Sequence, residues 1–162
     1  MKSEHPEIII RKMTIDALPA VVELEQRCGL NSHGIEGYEK ILIDPRAILL
    51  VAAEESDQSD VVGIFSGVVI LDELQIDNIA VAVLHQREGI GKLLLESALT
   101  TAARLGACTA ILEVRTANLA ARTFYEKNGF DKIGFRKQYY SAPIDDALLL
   151  GREIQNPVIN VS

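Results

Sequence analysis

The chain has 162 residues, of which 48% are hydrophobic and 24% are charged, a composition typical of a soluble globular protein with one core. Its formal net charge of −7 argues against a nucleic-acid-binding protein, whose affinity usually depends on a basic surface. No leader peptide and no bilayer-spanning apolar run is evident. We therefore expect a cytoplasmic protein that binds neither nucleic acid nor membrane, with one domain over residues 1–153 and a tail over residues 154–162. The two cysteines cannot make a disulfide framework, and we expect both to be buried thiols.

The first half of the chain alternates β-branched runs with two helical patterns. Apolar spacing of three and four residues and a stop at Gly29 define the first helix, with Asp16 as its cap or as a first-turn residue. In order, this half predicts a strand at residues 7–13, helices at 14–29 and 34–43, and strands at 47–55, 61–73 and 74–83.

The second half begins with a longer helical pattern that starts at Gly89 and stops at Gly106. A strand at 107–115 follows, then a helix at 118–129 with Asn118 as its cap, and two strands at 130–140 and 145–154. These elements predict an α+β, three-layer domain: a mixed, mostly antiparallel sheet of six to seven strands with helices on both faces.

The segment "VLHQREGIGKLLLE" at residues 83–96 has the composition of an anion-binding turn. It is not a P-loop, because Gln86 replaces the first required glycine and Leu93 the hydroxyl residue. It is not a dinucleotide fingerprint either, because Leu94 stands at the third glycine position. Two glycines, Arg87, Lys92 and a helix N-terminus suit a pyrophosphate without a metal, although a plain strand-to-helix turn remains an alternative.

Taken together, several motifs resemble those of the GNAT superfamily of N-acetyltransferases. "QREGIGKLLL" resembles its acyl-CoA motif, and "LEVRTAN", "FYEKNGF" and "RKQYY" resemble the RimI-type branch, the ribosomal-protein alanine N-acetyltransferases. The resemblance is good from residue 78 to about residue 150 and weak before that. It implies the GNAT fold, acetyl-CoA as the acetyl donor, and transfer to a primary amine such as the N-terminal α-amine of a ribosomal protein.

The resemblance implies a set of residues that hold acetyl-CoA. Strand backbone would pair with the pantetheine arm, the turn amides would hold the pyrophosphate, and Asn118 and Tyr125 would contact the arm near the sulfur. The strand residues are Ile79, Ala80, Val81 and Val83, and the turn residues are Gln86, Arg87, Glu88, Gly89, Ile90, Gly91 and Lys92. A strand amide near Val81 would polarise the thioester carbonyl.

Two side chains then acquire catalytic roles by resemblance. Glu113 would be the general base that takes the amine proton, and Tyr125 the acid that protonates the leaving thiolate. The alternatives are an ion pair between Glu113 and Arg115 on the same strand face, and a packing role for Tyr125 beside Phe124.

On the acceptor side the resemblance assigns two residues, Tyr139 and Tyr140. They match a pair near the family's peptide cleft, or else they anchor a strand end. The RimI-type branch has an aromatic-proline-tryptophan segment where this chain has "CGLNSHGIEGYEK", and the protein contains no tryptophan. Two other functions therefore remain open: acetylation of small amines or amino acids, and acyl-CoA binding without catalysis. His5, His33 and His85 are too scattered to suggest a metal site.

Overall fold

The computed structural model describes residues 7–57 and 59–155 of the chain. The helices are α1 (Leu18–Arg27), α2 (Gly34–Leu42), α3 (Ile90–Arg104) and α4 (Leu119–Lys127). The strands are β1 (Ile8–Lys12), β2 (Ala47–Glu54), β3 (Val61–Ile70), β4 (Glu73–Val81), β5 (Thr109–Arg115), β6 (Asp131–Ser141) and β7 (Ile144–Glu153). All the predicted helices and strands are present, and the predicted fold class is confirmed.

Three predicted boundaries were wrong. The strand predicted at 61–73 ends at Ile70, because Leu71 and Asp72 form a turn and Glu73 already begins β4. The strand predicted to reach Val83 ends at Val81, because the chain bends at Ala82 and residues Val83–His85 form a 3₁₀ turn. The first predicted helix is two elements, a 3₁₀ turn at Ile15–Ala17 followed by α1, which carries proline in its first turn. Asp16 lies inside the 3₁₀ turn and caps neither element, so the first-turn alternative is the one observed.

The seven strands form one sheet in the order β1-β2-β3-β4-β5-β7-β6. Every neighbouring pair is antiparallel except β4 and β5, which are parallel. These two strands pair only where Glu73–Gln75 faces Thr109–Ile111. Beyond Gln75 and Ile111 they part, and we call the resulting gap the inter-strand opening.

Each face of the sheet has its own buried cluster. The larger cluster joins α3 and α4 to the sheet and includes Leu94, Ala98, Leu112 and Tyr125. The smaller one packs α1 and α2 on the opposite face, through residues such as Leu18. The inter-strand opening is therefore reached from an α3/α4 face and from an α1/α2 face.

Smaller sequence predictions have mixed outcomes. Cys28 is partly buried, but Cys108 is exposed because it lies in the connection before β5, so the prediction for Cys108 was wrong. Of the predicted tail, Ile154 is buried and its amide donates to the Cys108 carbonyl at 2.8 Å, and residues 156–162 lie outside the described residues. Within residues 7–57 and 59–155, no helix has the length and apolar character needed to cross a membrane.

Candidate active site

The turn before α3 has the backbone geometry of an anion cradle. Gly89 is the N-cap of α3 with φ of +82°, and Arg87 is also in the left-handed region with φ of +66°. Glycine reaches this region without steric cost, which explains Gly89 at the point where the chain turns into the helix. Gln86 braces the turn, because its side-chain amide donates to the Val81 carbonyl at 3.1 Å.

The first turn of α3 supplies the donors of this cradle. The amides of residues 90–92 precede the first intrahelical bond, which runs from the Leu93 amide to the Gly89 carbonyl at 3.1 Å. Such amides need an outside acceptor, and the helix dipole favours a negative one. At Gly91 a Cβ atom would approach the Phe124 ring to 3.3 Å, so glycine also lets α4 pack close to the cradle.

A cleft of about 860 Å³ extends from the cradle along α4, which is within the range of small-molecule sites. Its walls include three cations, Arg87, Lys92 and Lys127, and no aspartate or glutamate of the described residues. In a protein with a net charge of −7, this grouping favours an anionic ligand.

The cleft brings together nine of the residues that the resemblance assigned to acetyl-CoA: Ile79, Val81, Gln86, Arg87, Gly89, Ile90, Gly91, Lys92 and Tyr125. The other four, Ala80, Val83, Glu88 and Asn118, are not among its lining residues. Sequence reasoning missed the wall formed by one face of α4, which includes Leu119, Ala120, Ala121, Thr123, Phe124, Lys127 and Asn128, and it missed His85. The helical period of residues 119–127 was a signal that could have revealed this wall.

The β4 backbone along the cleft has one free edge. Ile79 pairs with Phe65 of β3 on one side, but on the β5 side pairing stops at Gln75. The Ile79 amide and carbonyl and the Val81 amide are therefore open to an extended ligand that joins β4 as an added strand, whereas the Val81 carbonyl already accepts from Gln86.

Tyr125 is a buried residue that also lines the cleft. Its ring packs edge-to-face on Phe124 at 5.1 Å and on Phe130 at 5.3 Å between centroids, within the α3/α4 cluster. Burial raises the pKa of the Tyr125 phenol above its ordinary value, so the hydroxyl keeps its proton at neutral pH. The Tyr125 ring can therefore pack in the core while its hydroxyl serves as a proton donor.

Glu113 lies on the opposite face of the sheet from Tyr125. Its neighbours Leu112 and Val114 point into the α3/α4 cluster, so the alternation of β5 places Glu113 on the α1/α2 side, where it is partly exposed. Its ion-pair partner is Arg136 of β6, at 3.7 Å. The alternative pairing with Arg115 was wrong, because the Arg115 guanidinium stacks over a tyrosine ring and donates to the Pro143 carbonyl at 2.9 Å.

The two tyrosines of β6 lie beside Glu113. Hydrogen bonding to Glu113 and its negative charge raise the pKa of Tyr139, and burial together with the Glu113 charge raises that of Tyr140. The rings pack edge-to-face at 5.0 Å, and the guanidinium of Arg115 lies 4.1 Å from the Tyr140 ring centre. The α1/α2 side of β5 therefore carries a carboxylate with two phenols next to it.

Asn118 is confirmed as the N-cap of α4, since its side-chain oxygen accepts from the Ala121 amide at 3.1 Å. Within the described ranges, no group of His, Cys, Asp and Glu side chains has a metal-binding arrangement. His33 contacts Asp77 and His85 contacts Glu88, whereas His5 lies outside the described residues.

Known proteins share both the sequence pattern and the fold. The model of the acetyltransferase (GNAT) family matches residues 18–130. The [ribosomal protein bS18]-alanine N-acetyltransferase of Escherichia coli K12 is 31% identical over 139 residues, covering 85% of this chain and 91% of that protein. A putative enzyme of the same name from Bacillus subtilis is 29% identical over 142 residues, covering 87% of this chain and 92% of that protein.

Solved structures of acetyltransferases have the same fold as this chain. The crystal structure of the E. coli ribosomal-protein-S18-alanine N-acetyltransferase matches with a TM-score of 0.80 at 27% identity, over 96% of this chain and 99% of that one. Arabidopsis thaliana NAA60, solved with a bisubstrate analogue, matches with a TM-score of 0.83 at 14% identity over 93% of this chain and 99% of that one, a likeness of fold alone. The chain belongs to the acetyltransferase (GNAT) family.

Proposed function

We propose that this protein transfers the acetyl group of acetyl-CoA to the N-terminal α-amine of a protein, such as a ribosomal protein. The observation that carries the proposal is the parting of β4 and β5. A cationic cleft with a helix N-terminus lies on one side of the inter-strand opening, and a carboxylate with two phenols lies on the other. Donor and acceptor can then approach one gap from opposite faces.

The cleft would hold coenzyme A through its diphosphate. The diphosphate is negative, and the α3 amides together with the Arg87 and Lys92 side chains offer it hydrogen-bond donors and positive charge. The glycines leave room for its oxygens to approach the backbone. The free edge of β4 at Ile79 and Val81 can form backbone hydrogen bonds with the amides of the pantetheine arm. Acetyl-CoA supplies the acetyl group as an activated thioester.

The residues of this chain would handle the two protons of the reaction. Glu113 takes the proton that the acceptor nitrogen must lose before it attacks the carbonyl carbon. As the nitrogen–carbon bond forms, the carbon–sulfur bond breaks, and Tyr125 gives its proton to the departing thiolate. The amide of Val81 would donate to the carbonyl oxygen as negative charge develops there.

An α-amine suits this arrangement better than a lysine side chain. The reference pKa of an α-amine is about 7.7–8.0, against about 10.4 for lysine. The difference in pKa between the amine and a carboxylate base is therefore smaller for an α-amine, and the proton is transferred more easily. The chain's similarity to two proteins whose names describe acetylation of an alanine of ribosomal protein bS18 supports a protein acceptor.

A thiol-release assay with acetyl-CoA would test the proposal. Peptides that begin with alanine or serine should be acetylated, and mass spectrometry should place the acetyl group on the α-nitrogen. The same peptides with a blocked N-terminus and a free lysine are the control and should remain unmodified. Turnover of free amino acids or polyamines, with no peptide acetylated, would assign the protein to small amines instead. Tight coenzyme A binding with no turnover of any amine would indicate a binding module.

A further inference from the structure

A β-bulge in β4 lies at the beginning of the inter-strand opening. Ser66 of β3 pairs with Asn78, and the next residue, Gly67, pairs with Ile76, so Asp77 is the extra, unpaired residue. A bulge of this kind turns a side chain out of the regular alternation and is common beside active sites. Here the bulge leaves two consecutive side chains, Asp77 and Asn78, on the α1/α2 side, and the unpaired one is a carboxylate.

Asp77 occupies on β4 the position that Glu113 occupies on β5. The last parallel pair is Gln75 with Ile111, and each carboxylate is two residues beyond it. Asp77 contacts His33 at the start of α2 and Ser66 of β3, which places it on the α1/α2 side, the face that Glu113 also occupies. The two carboxylates therefore flank the inter-strand opening, one on each strand, on the side assigned to the acceptor.

Both contacts of the Asp77 carboxylate are made by the same oxygen atom. Its Oδ2 atom contacts His33 Nε2 and accepts from the Ser66 hydroxyl at 3.4 Å. The Oδ1 atom accepts no hydrogen bond from residues 7–57 or 59–155, and the side chain is 48% exposed. An incoming cation can reach this oxygen without breaking the contact to His33.

The surrounding segment has a separate anchor. The fully buried Glu25 accepts from the Ser32 hydroxyl at 3.1 Å and from the Asn78 side-chain amide at 3.2 Å. The same Asn78 amide also donates to the Asn31 carbonyl at 3.2 Å. This network ties the α1–α2 connection to β4, so the negative charge of Asp77 is not needed to hold the connection in place.

We propose that Asp77 binds the ammonium form of the acceptor amine at the β4 side of the opening, opposite the Glu113 that removes its proton. The assignment rests on the proposed acetyl transfer and specifies its acceptor as an amine that arrives positively charged. An α-amine is mostly protonated at pH 7, so it would be drawn to a half-exposed carboxylate. Asp77 and His33 would then form a polar part of the acceptor site in a chain that contains no tryptophan.

The test is Asp77→Asn, which keeps the size of the side chain and removes its charge. In the peptide acetylation assay, the KM for the peptide should rise about tenfold, the loss expected for one charge-assisted hydrogen bond. The KM for acetyl-CoA and the affinity for coenzyme A should stay within about twofold. Asp77→Glu, which restores the charge, should recover part of the peptide KM.

Asp72→Asn is the matched control. Asp72 is exposed and immediately precedes β4, five residues and about 16 Å from Asp77 at the strand rise, on the far side of the β4–β5 pairing from the opening. Asp72→Asn removes the same charge from the protein as Asp77→Asn. If both variants raised the peptide KM equally, the effect would come from the net charge of the protein and the assignment of Asp77 would be overturned.

Three further outcomes would overturn it. A peptide KM in Asp77→Asn within twofold of the wild-type value would remove Asp77 from acceptor binding and leave the proposed function intact. A parallel loss of coenzyme A affinity would make Asp77 a structural residue. If the wild-type protein acetylated no amine, the proposed function would fail first, and the assignment of Asp77 would fail with it.

Discussion

The replacement of Tyr125 by phenylalanine separates proton donation from packing. The variant loses one hydroxyl and keeps the ring that contacts Phe124 at 5.1 Å and Phe130 at 5.3 Å. The change in the free energy of unfolding should therefore be about 1 kcal/mol or less, a shift in Tm of roughly 2–4 °C for a domain of this size. Coenzyme A affinity should change less than twofold.

The expected loss of turnover follows from the leaving group. A thiol has a reference pKa near 8.5, so at pH 7 its thiolate is only moderately unstable, and an acid contributes at the low end of the usual 10²–10⁴-fold. We expect kcat to fall about 100-fold, which corresponds to about 2.7 kcal/mol in the activation free energy. Because burial raises the pKa of Tyr125, the wild-type activity should not decline through loss of this proton below about pH 10.

The assay is steady-state thiol release with a fixed peptide, accompanied by calorimetry with coenzyme A and thermal unfolding. Tyr38→Phe is the matched control for the loss of a buried tyrosine hydroxyl: Tyr38 is buried in the α1/α2 cluster and lines no part of the cleft. Because its ring packs on His33 at 5.2 Å, on the side assigned to the acceptor, kcat is compared at saturating peptide. The loss of this hydroxyl should leave kcat within about threefold. If Tyr125→Phe also retained kcat within threefold, the hydroxyl would play no part in the chemistry and the assignment of an acid would be refuted.

Three other expectations follow from the same structure. Glu113→Gln should lower kcat and flatten its rise with pH, because the variant has no carboxylate to accept the amine proton. Gly89→Ala should weaken coenzyme A binding and cost about 1 kcal/mol of stability, since alanine is strained at φ of +82°. Above about pH 10 the free energy of unfolding should fall, because burial raises the pKa of Tyr38 and Tyr125 in the folded state while the unfolded chain loses those protons near pH 10. Below that pH both states keep them, and this contribution is fully present.

Each of these has its own control or contradiction. A Glu113→Gln profile that rises with pH as the wild type does would point to another base. Gly106→Ala places the same residue at φ of +94° beyond the far end of α3, so it should cost similar stability and leave coenzyme A affinity unchanged. Equal losses of affinity in both glycine variants would indicate general destabilisation. Tyr38→Phe should reduce the alkaline loss of stability, and an unchanged slope would contradict the role of burial.

The amino-acid sequence by itself determined the features that depend on near neighbours in the chain. The helical period after Gly89, the cap at Asn118 and the alternation of residues 109–115 each involve residues a few positions apart, and all three match the structure. The motifs at the cradle and at Tyr125 also identified the family, which the comparisons confirm.

Only the tertiary structure decided which side chains meet across the sheet. The contact of Arg136 with Glu113 and that of His33 with Asp77 join residues 23 and 44 positions apart, and the α4 wall of the cleft depends on how that helix packs on the sheet. Such contacts follow from strand register and bulges, and a shift of one residue would move each side chain to the opposite face. Local periodicity does not specify that register, because it arises from the packing of both faces at once.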